Sequence, residues 1–310
     1  MSTFVERYRK TLAFKSLDVE PLIDRYFHRR IAAAIAALLV GHSITPNQVT
    51  VVGIGIGVVG SWMLYLSFFG TAAGDPILWL AAAAFYFFAV IFDCVDGQLA
   101  RATGQTSRTG RILDGAGDIL VLLPAYVILG FGILDLFGLF WFALSAVAGF
   151  STWIHCIVFD KVKNLYVAQT VPDAGEGQGS ESVEEVRAEF EEARRRGLVL
   201  ERALLWLYMG YLHVQDRFAP GTTHNRARHR DRAEIEKFRR QHRPTVFLAS
   251  FLDLGTHMFL LYASIALMAV QLEFVLVVQV LFATIFNILM ATVLWRARRF
   301  AGGPTTKCLE

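Results

Sequence analysis

Asp93, Asp96, Asp114 and Asp118 stand at fixed spacing in the string Asp93-x2-Asp96-Gly97-x2-Ala100-Arg101-x8-Gly110-x3-Asp114-x3-Asp118, which bridges two long apolar segments. Carboxylates at membrane depth are expensive, so such residues read as a functional site by default. On a helix, residues three and four apart share a face, which puts Asp93, Asp96, Gly97 and Ala100 on one stripe. Gly110, Asp114 and Asp118 form a second stripe at four-residue steps. Two facing stripes place four carboxylates around one small volume, with glycine and alanine leaving room beside them. Four such charges share a site only if cations neutralise them. Hard oxygen donors in that number suit Mg²⁺ or Mn²⁺, and Mg²⁺ is usually held by carboxylates together with substrate phosphates. The chemistry indicated is a metal-assisted reaction of a phosphate-bearing substrate.

The pattern resembles the signature of the CDP-alcohol phosphotransferase family, integral membrane enzymes of phospholipid synthesis. All eight specified positions are filled, and a chance match in a chain of this length is on the order of 10⁻⁷ from average residue usage. Upstream, Thr45-Pro46-Asn47-Gln48 is a helix start, with threonine as cap, proline at the first helical position and glutamine three residues after the cap. Pro46, Asn47 and Thr50 also match the family's Pro-Asn-x-x-Thr sequence. The resemblance covers residues 45 to 160 closely. It implies transfer of a substituted phosphate from a CDP-alcohol to a hydroxyl, with release of CMP. By that analogy Asp93, Asp96 and Asp114 hold the metals, with Asp118 at the edge of the cluster and also the general base. The resemblance also implies that Asn47, Thr50, Gly97, Ala100, Arg101 and Gly110 lie at the nucleotide, and that the protein is a homodimer.

The elements that position these residues follow from hydropathy. The chain has 310 residues, 55% of them hydrophobic, and a mean hydropathy of +0.44, which excludes an ordinary soluble domain. Stretches of about 20 apolar residues mark membrane spans, and six are read: 46–71, 76–97, 110–134, 137–159, 246–270 and 272–296. Arg101, Arg108 and Arg111, the N-terminal cluster from Arg7 to Arg30, the fourth loop and Arg296 to Lys307 are basic. The loops near Asp75, Asp135 and Gln271 carry no lysine or arginine. That asymmetry puts both termini and the aspartates on the cytoplasmic side. The fold expected is an all-α integral membrane protein of six transmembrane helices, with an N-terminal interfacial amphipathic helix and a helical cytoplasmic insert. Its layout is 1–44 N-terminus and interfacial helix, 45–160 first four spans with the signature, 161–244 insert, 245–299 last two spans and 300–310 tail. Ile31 to Val40 reads as the interfacial helix; a short seventh span is the alternative, at the cost of moving the basic N-terminus outside.

Several other residues carry a second reading. Ser182-x-x-Glu185 is a capping box opening a helix that ends at Gly197, supported by Glu191 with Arg195 and Glu192 with Arg196. Leu198 to Val214, with Trp206, Tyr208 and Tyr211, reads as an interfacial helix or as one docked on the membrane domain. Arg226 to Arg243 serve as topology signals or as headgroup contacts. Gly53, Gly57 and Gly60 form a small-residue stripe for close helix packing. Asp253 and His257, four apart, pair structurally or meet the acceptor, and His155 is a further intramembrane polar residue. Cys94, Cys156 and Cys308 show neither metal spacing nor a disulfide framework. The net charge of +3 follows the topology, which favours an anionic leaflet and gives no nucleic-acid partner.

Competing functions are a cation transporter, which would place carboxylates near the midplane on broken helices, and a non-catalytic lipid-binding protein, whose signature need not be intact. Within the family, the donor is CDP-diacylglycerol with a polar acceptor, or a polar CDP-alcohol such as CDP-choline or CDP-ethanolamine with diacylglycerol or another alcohol. Arg108, Arg111, Lys161 and Lys163 flank the site and suit an acceptor phosphate, which leans toward the first branch.

Overall fold

The computed structural model describes residues 3–12, 16–106, 108–171, 183–218 and 231–301. Among them there are helices and turns and no strand. The helices are α1 (Phe4–Thr11), α2 (Arg29–Leu39, entered through a π-helical turn at Asp24–His28), α3 (Pro46–Phe69), α4 (Pro76–Thr103), α5 (Arg108–Phe137) and α6 (Leu139–Thr170). Then follow α7 (Val183–Arg195), α8 (Val199–Phe218), α9 (Arg232–Ala249), α10 (Leu254–Leu267), α11 (Phe274–Ala283) and α12 (Ile285–Ala301). Six stretches are long and apolar enough to cross a membrane: Pro46–Phe69, Pro76–Thr103, Gly115–Phe137, Leu139–Thr170, Arg232–Leu267 and Phe274–Arg298. The chain is a multi-pass membrane protein.

The fifth and sixth of these stretches are each interrupted. A 3₁₀ turn at Ser250–Leu252 and the extended Asp253 separate α9 from α10, and Thr284 separates α11 from α12. The hydropathy of the two stretches runs on through the breaks, so composition alone did not signal them.

The chain divides into two compact units, one of residues 1–15, 22–152 and 254–284, the other of 16–21, 153–253 and 285–310. In the first, α3 packs against both α4 and α5. Its apolar residues surround the whole helix, so burial is decided by size: Gly53, Gly57 and Gly60 are buried, whereas Val51, Val58 and Trp62 face outward. Small residues let backbones approach where apolar lipid removes the usual hydrophobic drive for large ones. A Cβ on Gly53 would stand 3.2 Å from Phe92 Cβ, and one on Gly60 3.1 Å from Phe85 Cβ, both on α4. On Gly57 it would reach Val121 of α5 at 2.5 Å. Contacts pair Gly53 with Phe92 and Gly60 with Phe85, so α3 and α4 run antiparallel. Gly57 meets Val121 and Phe68 meets Gly132, so α3 and α5 run parallel. Trp79, Tyr86, Leu129, Ile133, Leu261 and Ile265 fill the core between α4, α5 and α10.

Polar contacts tie the helices of the second unit together. Asp18 accepts from Tyr166 Oη at 3.1 Å and pairs with Arg243 at 3.1 Å. Arg296 Nε donates to Thr245 at 3.1 Å, joining α12 to α9, and His155 meets Asn287 at 3.2 Å.

Candidate active site

The start of α3 is built as its sequence dictates. Thr45 Oγ1 accepts from the Gln48 backbone N–H at 3.3 Å, and Gln48 Oε1 accepts from the Thr45 N–H at 2.9 Å. This reciprocal cap satisfies two donors that a helix N-terminus otherwise leaves open. It places Pro46 and Thr50 on the buried side and Asn47 on the exposed side.

Asp93 and Asp96 ride the C-terminal half of α4, which stops at Gly104, the left-handed residue (φ 71°) that caps it. At 1.5 Å per residue Asp96 lies about 30 Å from Pro76, the full depth of a hydrocarbon core. Asp118 lies about 28 Å from Phe137 along α5, again at the far end of its span. The signature therefore sits at the ends of both helices, not at their middles.

Asp96 is 6% exposed, and Asp93 and Asp118 are half-buried. Thr50 Oγ1 donates to Asp96 Oδ2 at 2.5 Å, joining α3 to α4 at the level of the site. The same hydroxyl lies 3.2 Å from the Pro46 carbonyl. The Thr50 methyl stands 4.0 Å from where a Cβ on Gly117 would lie, beside Asp118 on α5. One residue of α3 thus bonds to α4 and faces the Gly117 position of α5. Gly97 faces open space: only Arg101 Nη1, at 3.4 Å, approaches its Cβ position. The Arg101 side chain is exposed and folds back over that glycine, where the resemblance places the nucleotide.

Gln98, at a variable position of the signature, is 1% exposed. Its Nε2 donates to the Arg29 carbonyl at 3.0 Å, fastening α2 to the signature helix. Nearby, His28 bridges Asp24 at 2.8 Å and Tyr262 at 3.1 Å. The Gln98–Arg29 and His28–Tyr262 links could not be found from spacing, because each joins residues far apart in the chain.

Among the described residues, no three His, Cys, Asp or Glu side chains form a group able to hold a metal. The side chains of Asp114, Arg108 and Arg111 lie outside the described ones. The donors that are described are carboxylate and hydroxyl oxygens, which fit a hard divalent cation and not a soft one.

Of the other residues singled out by sequence, Lys161 is buried, and Lys163 is paired with Asp160 at 2.7 Å and lies over the Phe159 ring. His257 is buried against Phe282, with ring centroids 4.7 Å apart. In α7, Glu192 meets Arg196 at 2.5 Å, but Glu191 turns to Arg194 at 3.7 Å in place of Arg195. Both pairs are exposed, where competing partners differ by little. Ser182 lies outside the described residues, as do Cys308 and residues 219–230.

Residues 43–172 match the family model for CDP-alcohol phosphatidyltransferase. A stretch of 94 residues is 38% identical to archaetidylinositol phosphate synthase of Pyrococcus horikoshii, covering 29% of this chain and 41% of that protein. Over 98 residues the chain is 33% identical to phosphatidylinositol phosphate synthase of Mycobacterium tuberculosis, covering 32% and 41%. Over 96 residues it is 33% identical to the bifunctional IPC transferase and DIPP synthase of Thermococcus kodakarensis, covering 31% and 19%. The chain thus spans less than half the length of these relatives. No solved structure matches it.

Proposed function

We propose that this chain, whose residues 43–172 belong to the CDP-alcohol phosphatidyltransferase family, transfers a substituted phosphate from a CDP-alcohol to an acceptor hydroxyl and releases CMP. The observation that carries this reading is the intact signature at the ends of α4 and α5, with Asp96 buried and oriented by Thr50. A transporter site would sit nearer the midplane.

Asp93, Asp96, Asp114 and Asp118 would hold Mg²⁺ or Mn²⁺, which when bound neutralises the diphosphate and the CMP leaving group. Thr50 sets the rotamer of Asp96, so that a carboxylate is already aimed when the nucleotide arrives. The open face of Gly97, with Ala100 one turn on, admits the cytidine and ribose against the helix backbone. Arg101 meets a phosphate; Asn47, exposed at the start of α3, and Gly110 complete the nucleotide site. Asp118 takes the proton of the acceptor hydroxyl as that oxygen attacks phosphorus; the P–O bond to CMP breaks, and CMP leaves with the electron pair.

The donor is CDP-diacylglycerol or a related CDP-lipid, and the acceptor a phosphorylated polar alcohol. The names of the inositol phosphate lipid synthases among the relatives support this, as do the bases Arg108, Arg111, Lys161 and Lys163. The site faces the cytoplasm, on the distribution of basic loops, and the protein is a homodimer by family analogy.

The test is CMP release by the purified protein with Mg²⁺ or Mn²⁺. One mixture holds CDP-diacylglycerol with pooled polar acceptors, inositol phosphate among them; the other holds polar CDP-alcohols with diacylglycerol. Release from the first alone is expected. Release from the second alone would reverse donor and acceptor, and silence from both would leave only a polar CDP-alcohol with a polar acceptor or a non-catalytic protein.

A further inference from the structure

The helical insert presents an apolar face that its own unit does not cover. On α8, Leu205 and Leu212 are buried. On another side of the same helix Val199, Ala203, Trp206 and Gly210, at i, i+4, i+7 and i+11, are exposed, with Leu207 beside them. Val199 is 73% and Trp206 65% exposed. A helix lying in water keeps polar residues opposite its packed face. Here Arg202 and His213 flank the apolar stripe instead of replacing it.

The place where α8 is fastened says what covers that stripe. Tyr211 Oη donates to Asp160 Oδ2 of α6 at 2.8 Å, and Lys163 donates to Oδ1 of the same carboxylate at 2.7 Å. Asp160 is the first charged residue after the apolar run that opens α6 at Leu139, followed at once by Lys161 and Lys163. A helix of 32 residues is about 48 Å long, against roughly 30 Å of hydrocarbon. Counted from Leu139, Asp160 therefore stands at the edge of that layer. Two turns earlier on the same face of α6, Trp153 is exposed, as a lipid-facing residue of a span would be. Trp206 is within about 8 Å of Tyr211 along the α8 axis, a distance comparable with the thickness of one headgroup layer, so it lies in or next to that layer. Tryptophan favours that layer because its ring is apolar and its N–H is polar. Burial pushes the Tyr211 hydroxyl well above its ordinary range, with the Asp160 charge adding to it, so the group remains a hydrogen-bond donor.

We infer that α8 is a membrane-surface anchor, pinned to α6 through Tyr211 and Asp160, with Val199, Trp206 and Leu207 inserted among lipid headgroups and upper acyl chains. The partner is the bilayer itself, recognised by apolar area. Residues 199–214 carry one acidic and one basic side chain, Glu201 and Arg202, so anionic lipid is not required.

The experiment reconstitutes the full chain in phosphatidylcholine vesicles, with or without bromine atoms high on the acyl chains, and compares it with Trp206→Phe. The difference in fluorescence isolates Trp206 from the other tryptophans. We expect bromolipid to quench that difference signal at least twofold and aqueous acrylamide to have little effect. Quenching by acrylamide and not by bromolipid would put the stripe in water and overturn the anchor. Resistance to both would mean that protein, such as a second copy of the chain, covers the stripe, and would overturn it equally. Tyr211→Phe should reduce the bromolipid quenching; unchanged quenching would overturn the role given to Tyr211. No substrate enters the assay, so its failure and that of the proposed reaction are distinguishable.

Discussion

Two carboxylates near the ends of apolar helices, Asp96 and Asp160, are both bound by a hydroxyl from a neighbouring helix, yet they do different work. Asp160 takes Tyr211 at 2.8 Å and Lys163 at 2.7 Å. A full opposite charge meets it locally, as in an ordinary structural pair. Asp96 takes the Thr50 hydroxyl at 2.5 Å, which orients the carboxylate without cancelling its charge. It belongs to a set of four acidic residues within 26 positions of sequence, Asp93 to Asp118. Crowding of such a set is what the proposed metal ions would relieve. The surroundings differ in the same sense. Glycines bring α3 onto α4 and α5 at van der Waals distance around the signature. The insert instead relies on one tyrosine, exposed ion pairs and an apolar stripe. A reacting centre needs its donors held to a fraction of an ångström; an anchor needs only area and approximate height.

The comparison breaks most sharply at the general base. Asp118→Asn should lower kcat by about 10²–10⁴-fold, while CDP binding with Mg²⁺, followed by calorimetry, persists. Retained turnover would remove that assignment. Asp93→Ala and Asp96→Ala should abolish metal-dependent CDP binding, and normal binding by either would show that the metals lie elsewhere. Thr50→Val should raise the Mg²⁺ concentration for half-maximal activity by about tenfold or more, since hydrogen bonds to charged groups are worth ~1.5–3 kcal/mol. Thr50→Ser, which keeps the hydroxyl, should stay near the parent. Equal defects in both variants would show that the threonine matters for shape alone.

Packing comes next in size. Gly57→Ala puts a methyl 2.5 Å from Val121 and should cost ~1–3 kcal/mol as overpacking. Gly55→Ala, with nothing within 4 Å, should be neutral in thermal unfolding. If the two unfold alike, the close α3–α5 approach is not what holds the site. The smallest effect belongs to the insert. Tyr211→Phe should leave turnover unchanged and loosen α8 by ~1 kcal/mol, seen as faster hydrogen exchange across 199–214. Because folding raises the Tyr211 pKa, its contribution is complete below the unfolded value near 10 and is lost only as pH rises through the folded value. Exchange protection from this bond should therefore be flat between pH 6 and pH 9.

Local rules reached far into this chain. The cap at Thr45 and Gln48, the six apolar stretches, the packing role of Gly53, Gly57 and Gly60 and the signature stripes all depend on neighbours within a helical turn or on the run of hydropathy. The breaks at Asp253 and Thr284 escaped the same rules, because an apolar run reads alike whether its backbone is continuous or interrupted.

From sequence alone came the membrane class, the acidic signature and the proposal of a cation and substrate to suit it, since charge, spacing and apolar length are properties of the chain itself. Tertiary structure alone decided that Thr50 serves Asp96, that Gln98 ties α2 to α4, and that Tyr211 meets Asp160. Each of these bonds spans tens of residues, and no periodicity in a helix records which distant hydroxyl, amide or carbonyl will stand at its side once the backbones have packed.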